Sequence, residues 1–245
     1  MAPITGQNIL IIGGSSGMGF AVAKLALAEK ANVIIASSSK DRVDAAVKRL
    51  KGDSHVTGYT VNLGGDDVEA QLEKLFTEAT KTGSLDHVVC TAGKGQSPPL
   101  ADTDVATAIA AARLPVIVPI LIGKIAPKFL KSSYTSSITF TGGAIAEKPV
   151  PGYGVLSAFI AGLHNLGKCL AVDLAPLRVN VVAPGSTETE MWGDYASFMR
   201  DMSSKNSLLG KPAKPEDVAE AFVYLMKNID ATGSVVSTNG GAPLK

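Results

Sequence analysis

One stretch decides the fold of this chain: residues 8–19, Asn-Ile-Leu-Ile-Ile-Gly-Gly-Ser-Ser-Gly-Met-Gly. Four consecutive apolar residues, three of them β-branched, are typical of a strand buried on both faces of a parallel sheet. Glycines end this strand, and the run from Phe20 to Glu29 predicts a helix. Glycines permit positive φ and close approach of the backbone, so that free N–H groups and the positive end of the helix dipole face an anion. The stretch therefore predicts a strand, a phosphate-binding turn and a helix.

Other nucleotide-binding turns fit these residues less well. A P-loop needs Lys and then Ser or Thr after its last glycine, whereas Met18 and Phe20 flank Gly19. A methyltransferase with a similar glycine loop usually has an acidic residue at the end of the next strand, and none stands there. A tight turn without any ligand is the alternative that this motif alone leaves open. A dinucleotide is the ligand that the turn fits best.

Length, charge and cysteine content narrow the class of protein. The 245 residues suit one α/β domain spanning 1–245, and no linker divides the chain. A formal net charge of +1 indicates neither a nucleic-acid-binding face nor an acidic tail, so small molecules are the expected partners. Cys90 and Cys169 fall on a predicted strand and a predicted helix, which suggests buried thiols in a reducing compartment. No metal site is predicted.

No segment predicts export or a membrane span. The N-terminus lacks the basic region and the long apolar core of a signal peptide. The apolar run from Leu114 to Ile122 is short and carries Pro115 and Pro119, which also kink or delay the helix expected there. We therefore expect a soluble cytoplasmic protein that does not associate with membranes.

The alternation of strands and helices predicts a Rossmann-type α/β fold, a doubly wound parallel sheet with helices on both faces. Its second strand, 32–36, ends without an acid and is followed by Ser38, Lys40 and Arg42. An acid at this place accepts the ribose hydroxyls, whereas small polar and basic residues accommodate a 2′-phosphate. This favours NADPH over NADH, with Ser38 and either Lys40 or Arg42 as phosphate contacts. The alternative is a solvated, capped helix start.

Three motifs together resemble the short-chain dehydrogenase/reductase family, or SDR family. Gly13-x-x-x-Gly17-x-Gly19 is similar to its TGxxxGxG turn, 91–93 to its Asn-Asn-Ala-Gly, and 178–185 to its sixth strand. The resemblance spans nearly the whole chain and implies an NADP(H)-dependent oxidoreductase. The motifs and the end of the second strand together give the expected cofactor contacts: Gly13, Ser15, Ser16, Gly17, Met18, Gly19, Ser38, Lys40, Arg42, Asn62, Leu63, Ala92, Gly93, Thr141, Pro184, Gly185, Thr187 and Thr189.

The chain departs from the family at the catalytic positions. The family places a catalytic Ser after the fifth strand and Tyr-x-x-x-Lys at the start of the next helix. Here the Ser position falls on Gly142 or Gly143, Tyr153 is kept, and the Lys position is Ser157. In the usual site the ammonium helps the phenol to exchange a proton with the substrate oxygen. Tyr153 is therefore expected to donate a hydrogen bond but to be a weak general acid, and packing at a helix start is the alternative.

Two charged residues join Tyr153 as catalytic candidates. In the family an Asn bulges the helix expected within 102–130 and holds a relay water, whereas this chain has Arg113. An arginine stays charged, so it clamps a carbonyl or phosphate oxygen rather than relaying protons. Glu147 stands near the expected mouth of the site, where it balances a cationic substrate. An ordinary ion pair is the alternative for Arg113, and a solvated loop carboxylate is the alternative for Glu147.

Residues 189–210 predict a mobile substrate lid. Bulky, adaptable side chains gather there at near-helical spacing: Met191, Trp192, Tyr195, Phe198, Met199 and Met202. Such residues bury large apolar or aromatic ligands, although a helix packed on the sheet shows the same pattern. The helix at 158–171 resembles one that forms dimer or tetramer interfaces in the family, which implies a homodimer or homotetramer. A purely internal packing face is the alternative.

The missing Ser and Lys favour a reaction that needs hydride but little proton donation, such as reduction of an iminium, which becomes a neutral amine. Residues 149–153, Pro-Val-Pro-Gly-Tyr, with an Arg in the preceding helix, resemble a divergent SDR subgroup from fungal indole-alkaloid pathways. Some of these proteins reduce an iminium with NADPH and also hold the product for an intramolecular Diels–Alder cyclisation. That subgroup has an acid in place of Val150 and often Trp in place of Tyr153. The alternatives are a carbonyl reductase or alcohol dehydrogenase with a rebuilt proton relay, and an NADP-binding regulator without turnover.

Overall fold

Seven parallel strands form one sheet at the centre of the chain. The structure, a computed structural model, describes residues 1–50, 55–93, 95 and 98–245. The strand order is β3-β2-β1-β4-β5-β6-β7. The strands are β1 Asn8–Ile12, β2 Asn32–Ser37, β3 Val56–Thr60, β4 His87–Cys90, β5 Ser137–Thr141, β6 Arg178–Pro184 and β7 Val235–Thr238. The order reverses at β1, whose neighbours are β2 and β4, so the crevice between the loops after β1 and β4 is the expected ligand position.

The described residues form eight α-helices, six of which pack on the two faces of this sheet. They are α1 Gly17–Ala28, α2 Lys40–Leu50, α3 Val68–Ala79, α4 Val105–Ala112, α5 Val118–Ile125, α6 Gly154–Asp173, α7 Ala196–Asn206 and α8 Pro215–Lys227. One core cluster joins the sheet to α3, α5 and α6, and the other joins it to α1, α2 and α8. Apolar strands buried on both faces produce this arrangement, since Ile9 to Ile12 are fully buried. The predicted doubly wound Rossmann-type fold is confirmed.

Two helix starts lie earlier than the sequence predicts. Helix α1 begins at Gly17, because Ser16 keeps an extended backbone and the glycine turn leads straight into the first helical turn. Helix α6 begins at Gly154, which makes Tyr153 the residue before its first turn. Glycine disfavours a helix interior but is tolerated at its first position, so periodicity placed both starts too late. Both shifts bring predicted site residues to a helix N-terminus.

The sequence predicts that the two prolines of the apolar run kink or delay the helix. The helical run instead begins at Val105 and continues through both prolines. Pro115 lies in a π-helical segment, Arg113–Ile117, that joins α4 to α5. Pro119 lies in the first turn of α5, where its ring is tolerated. The helical run Val105–Lys128 and α6 are therefore long and apolar enough to span a membrane by length and composition, with mean hydropathies of 2.2 and 1.5. Each packs one face on the sheet, as core helices of soluble proteins also do.

The two cysteines differ in exposure. Cys90 ends β4 and is buried, and burial raises the pKa of its thiol to about 11. Cys169 lies on the outer side of α6 and is exposed. The prediction of two buried thiols is therefore wrong for Cys169, because position within a helix does not say which face the residue occupies.

Candidate active site at the carboxyl ends of the strands

The glycine turn after β1 is built by close backbone packing. The N–H groups of Gly13 and Gly14 donate to the carbonyl oxygen of Ala36, at 2.7 and 3.2 Å. Gly13 has φ of +96°, and a Cβ added there would lie 2.5 Å from Thr91 Oγ1. A Cβ on Gly19 would lie 2.5 Å from the same atom and would also meet the carbonyl oxygen of Gly13. Only glycine fits these two positions, so the turn presents bare backbone to the crevice.

Thr91 is the residue that the glycines pack against, and the sequence motifs did not assign it a role. Its hydroxyl donates to the carbonyl oxygens of Ile12 and Gly13, each at 3.3 Å. It thereby ties the end of β4 to the turn after β1. The sequence Thr91-Ala92-Gly93 could have indicated this role. Ala92 and Gly93 have no polar side chain, so the Thr91 hydroxyl is the side-chain group of this motif that can bond to the turn.

The residues at the start of α1 fit a pyrophosphate. Gly17 has φ of +51°, and its N–H donates to Glu190 Oε2 at 2.9 Å, so this donor already faces an anionic oxygen. The turn also carries Ser15, Ser16 and Met18 before the helix proceeds. Thr189 packs its methyl group 3.1 Å from the position of a Cβ on Gly17. A helix N-terminus with exposed donors is the arrangement that binds phosphate groups, and here the Glu190 carboxylate occupies the Gly17 donor.

At the end of β2 the structure brings two of the three predicted phosphate contacts together. The Arg42 guanidinium donates to Ser38 Oγ at 3.1 Å. Lys40 instead pairs with Asp44 on the exposed face of α2, at 2.6 Å, and this hydrogen bond raises the pKa of the ammonium. Of the alternatives that the sequence left open, Arg42 is therefore the cation positioned beside Ser38.

The loop after β3 holds two more predicted site residues and contacts a third, Arg113. Asn62 is exposed and accepts the N–H of Gly64 at 3.0 Å, and Leu63 is buried. Arg113 donates to the carbonyl oxygen of Gly65 and pairs with Asp66 at 2.8 Å. The ion pair that the sequence allowed as the alternative for Arg113 is thus present. Asp66 is 97% exposed, so the pair contributes little stability.

A cavity of about 90 Å³ lies beyond the ends of β4 and β5, between α4, α5 and α6. Its walls are largely apolar, and Thr141 at its edge donates to the carbonyl oxygen of Cys90 at 2.9 Å. The predicted cofactor contacts Ala92, Gly93 and Thr141 thus share one cavity. Its lining is Cys90, Ala92, Gly93, Ala110, Ala111, Leu114, Pro115, Pro119, Phe140, Thr141, Leu156, Ile160 and Leu163.

The start of α6 holds the turn that follows β5. Tyr153 is 40% exposed, and its carbonyl oxygen accepts the N–H of Ser157 at 2.8 Å. The buried Ser157 hydroxyl donates to the carbonyl oxygen of Ile145 at 2.7 Å. Glu147 is exposed and accepts the Ser237 hydroxyl at 3.4 Å, toward β7. Within the described part of the chain, no hydrogen bond or ion pair joins Tyr153, Arg113 and Glu147 to one another.

His164 is a second residue that the motifs did not single out. Its ring lies against the turn after β5, with Cδ2 2.7 Å from the position of a Cβ on Gly142. The N–H of Gly143 donates to its Nε2 at 3.4 Å. An isolated histidine on an amphipathic helix carries no sequence signal of its own, so only the packing of α6 on β5 reveals this contact.

The predicted lid begins beside the glycine turn and crosses the crevice. At the end of β6, which Pro184 closes, Gly185 donates to the carbonyl oxygen of Thr238 at 3.2 Å and accepts the Thr187 hydroxyl at 3.1 Å. The lid then forms a 3₁₀ segment, Glu190–Tyr195, and α7. The Met191 sulfur reaches to 3.1 Å from the position of a Cβ on Gly95, in the loop after β4.

Large apolar side chains of this lid face outward. Met191, Tyr195 and Phe198 are each more than 60% exposed, and Met202 is 41% exposed. Exposed clusters of this kind mark binding surfaces. Among residues 1–50, 55–93, 95 and 98–245, no group of three or more His, Cys, Asp or Glu side chains is placed to hold a metal ion.

Comparison with known proteins identifies the family that shares this architecture. The model of an SDR-like Rossmann domain matches residues 2–245. The chain is 45% identical to the short-chain dehydrogenase/reductase ATR9 of Stachybotrys chlorohalonatus, over 100% of both chains. The structure of the MalC reductase/Diels-Alderase from Malbranchea aurantiaca is similar with a TM-score of 0.94 and 35% identity, over 99% of this chain and 97% of that one.

A second similar structure contains NADP. It is a short chain dehydrogenase from Burkholderia cenocepacia in complex with NADP, with a TM-score of 0.87 and 26% identity over 98% of this chain and 99% of that one. The chain therefore belongs to the short-chain dehydrogenase/reductase family, whose members are typically NAD(P)-dependent oxidoreductases, and is an SDR enzyme related to fungal reductases such as MalC.

Proposed function

We propose that this chain is an NADPH-dependent reductase that transfers hydride to the C=N carbon of a bulky iminium compound of secondary metabolism. The observation that carries the proposal is the bonding of Ser157, one turn after Tyr153. Its hydroxyl proton is committed to the carbonyl oxygen of Ile145, and its side chain bears no charge. An iminium carbon that accepts hydride becomes a neutral amine, so its reduction needs no proton from the protein. A site without an ammonium beside its tyrosine suits that reaction.

NADPH is the cofactor that the described residues favour. The glycine turn and the N–H of Gly17 would hold its pyrophosphate, and Ser38 with Arg42 would hold the 2′-phosphate through charge-assisted hydrogen bonds. Bound NADPH supplies the hydride. The proposal includes action in the cytoplasm by a single domain.

The protein's own side chains position the substrate. Tyr153 stands half-exposed at the start of α6, where its phenol is available to donate one hydrogen bond. Glu147 carries a carboxylate on the neighbouring turn and favours a cation nearby. The lid at 189–210 supplies exposed aromatic and thioether surface for a large ligand, and its closure would exclude water from the cavity.

Coupling to a cyclisation is the finer part of the proposal. The printed description of MalC names both a reductase and a Diels-Alderase, and the two chains share one architecture over nearly their whole length. A carbonyl reductase is the second candidate, because Tyr153 retains the phenol that a ketone reduction requires. The two candidates differ in one respect, the dependence of turnover on that phenol.

The test is hydride transfer from NADPH deuterated at the transferable carbon to a panel of bulky cyclic imines and matched ketones, followed by mass spectrometry. We expect deuterium in the amine products, at a rate that Tyr153→Phe changes by less than about fivefold, since one lost neutral hydrogen bond is worth about 1 kcal/mol or less. Transfer only to ketones, abolished by Tyr153→Phe, would replace the proposal with the carbonyl reductase. Tight NADPH binding without any transfer would favour a regulator.

The proposal also includes a homodimer or homotetramer formed through the apolar helices. Only 17% of the most apolar 18-residue stretch within Val105–Lys128 is buried within one chain, and 22% of the corresponding stretch in α6. Val172 on α6 and Val105 and Ile109 on α4 are more than half exposed. Analytical ultracentrifugation should show a dimer or tetramer, and Val172→Glu should shift it toward monomer. A monomeric wild-type protein would refute this assembly.

A further inference from the structure

His164 lies on the face of α6 that carries Tyr153. Tyr153, Ser157, Ile160 and His164 are spaced by four, three and four residues, which places them along one side of a helix. Ser157 contacts the turn after β5, and Ile160 lines the cavity at the ends of β4 and β5. His164 therefore belongs to the row of side chains that faces the reaction site.

The ring and the glycines of the turn fit each other. Atoms of the imidazole fill the space where a Cβ on Gly142 would stand, together with Val181 Cγ1, which lies 2.9 Å from that position. Nε2 accepts the N–H of Gly143, while Ser157 donates to Ile145. Helix α6 thus holds the turn at two points, and one of them is a titratable ring.

The ring is neutral near pH 7. Partial burial lowers the pKa of His164, and so does the positive charge of Lys168 one turn along α6, while Glu147 on the turn after β5 opposes them. These are the charged groups that face the ring. In the neutral ring Nε2 accepts from Gly143, so the proton resides on Nδ1.

We propose that His164 is a positioning residue that adapts the site to a cationic substrate. Only while its imidazole is neutral does it hold the Gly142–Gly143 turn and add no positive charge of its own. The inference rests on the proposed function and names its substrate class, a bulky cation that carries C=N. Protonation would convert Nε2 from an acceptor into a donor, which releases the Gly143 N–H. It would also add a positive charge beside the site, which repels the cation.

The test measures binding without turnover. The probe is a bulky quaternary ammonium compound, which lacks C=N and cannot be reduced, titrated by calorimetry into the NADPH-loaded enzyme. We expect its affinity to fall about three- to tenfold from about pH 7.5 to about pH 5, as linkage to a shift of about half to one pKa unit requires. The uncharged carbon isostere of the probe should show less than half of this dependence, because it reports only release of the turn.

Variants assign the dependence to the ring. His164→Asn can accept the Gly143 N–H but does not titrate, so its affinity for the ammonium probe should be independent of pH. His55→Asn, at an exposed histidine before β3, should behave like the wild type. NMR titration of His164 in the wild-type enzyme gives a second readout. Because linkage is reciprocal, the bound probe should lower the pKa of His164 by the same amount, about half to one unit.

The inference is overturned by an affinity that is independent of pH in the wild type, by an unchanged dependence in His164→Asn, or by a probe that does not bind at any pH. These outcomes can be distinguished from a failure of the proposed function. Linkage without hydride transfer to any imine would retain the cation site and refute the reductase. Imine reduction with no linkage to His164 would retain the reductase and refute the role of His164.

Discussion

The two edges of the same sheet use polar residues in opposite ways. At the amino ends of the strands two buried polar side chains are extensively hydrogen-bonded. His87 lies 2.8 Å from Ser137 Oγ and 2.7 Å from Gln7 Oε1. Arg178 donates to five backbone carbonyl oxygens, of Tyr134, Leu225, Met226, Asn228 and Ala231. At the carboxyl ends stand glycines and short hydroxyl side chains, which leave backbone N–H groups facing the crevice.

The difference separates stability from binding. His87 and Arg178 at the amino edge already have protein partners, so they fix the strands rather than bind a ligand. The carboxyl edge leaves space and donors, so its interactions are completed by a cofactor. Substitutions at the amino edge should therefore change the free energy of unfolding, and substitutions at the carboxyl edge should change affinity. The following predictions test that division.

Arg178→Met should have the largest effect. Removal of the guanidinium leaves five carbonyl oxygens without this donor, four at the end of α8 and in the following loop and one, of Tyr134, before β5. This costs about 3–5 kcal/mol of unfolding free energy. Urea unfolding followed by circular dichroism measures it. The folded fraction at low temperature should bind NADPH within about twofold of the wild type. A selective loss of NADPH affinity without destabilisation would contradict the division of the two edges.

Gly19→Ala should disrupt the carboxyl edge. Its Cβ would stand 2.5 Å from Thr91 Oγ1 and would also meet the Gly13 carbonyl oxygen, both parts of a turn held by short contacts. We expect at least about a hundredfold loss of NADPH affinity by fluorescence titration, because the donors of the turn must move. Gly162→Ala, on the exposed side of α6 with open space around it, is the matched control. It should stabilise the protein by about 0.5–1 kcal/mol and leave affinity unchanged.

His87 should make the amino edge sensitive to acid. Burial lowers its pKa from 6.5 to about 3, so below the unfolded value of 6.5 the unfolded chain binds a proton that the folded chain excludes. Stability is therefore lost as the pH falls from 6.5 toward 3, by about 2 kcal/mol at pH 5. Urea unfolding of wild type and His87→Gln at pH 7 and pH 5 measures this. An equal acid sensitivity in both proteins would refute the assignment.

Arg42→Ala should have the smallest of these effects, confined to one cofactor. Loss of the guanidinium beside Ser38 should weaken NADPH binding about ten- to thirtyfold, because a charge-assisted contact to the 2′-phosphate is worth about 1.5–2 kcal/mol. NADH binding should change less than about twofold. Lys40→Ala, whose ammonium pairs with Asp44, should leave both affinities nearly unchanged. Equal losses for NADPH and NADH in Arg42→Ala would place the 2′-phosphate elsewhere.

The order of the strands and helices, and the edge of the sheet at which a cofactor is expected, were predictable from the sequence because they depend on local signals. Apolar β-branched runs define buried strands, glycines define the turn after β1, and the absence of an acid after β2 points to Ser38 with either Lys40 or Arg42. Helix starts and the exposure of Cys169 were predicted wrongly. Glycine at a helix start and the face of a helix are decided by tertiary contacts that periodicity does not record.

Sequence by itself determined the SDR fold and the glycine turn, because each depends on residue type at a fixed spacing. The departures from the family at Gly142 and Ser157 stay predictions from the same kind of pattern. Tertiary structure alone decided that Arg42 rather than Lys40 lies beside Ser38, that Arg113 pairs with Asp66, and that His164 fills the space beside Gly142. The physical reason is range. Backbone preferences and burial patterns act over a few neighbouring residues, whereas the contacts of Arg113 and His164 join residues 47 and 21 positions apart, which meet only when helices pack on the sheet. Ser38 and Arg42 are only four positions apart, but residue type and spacing do not say which of Lys40 and Arg42 turns toward Ser38.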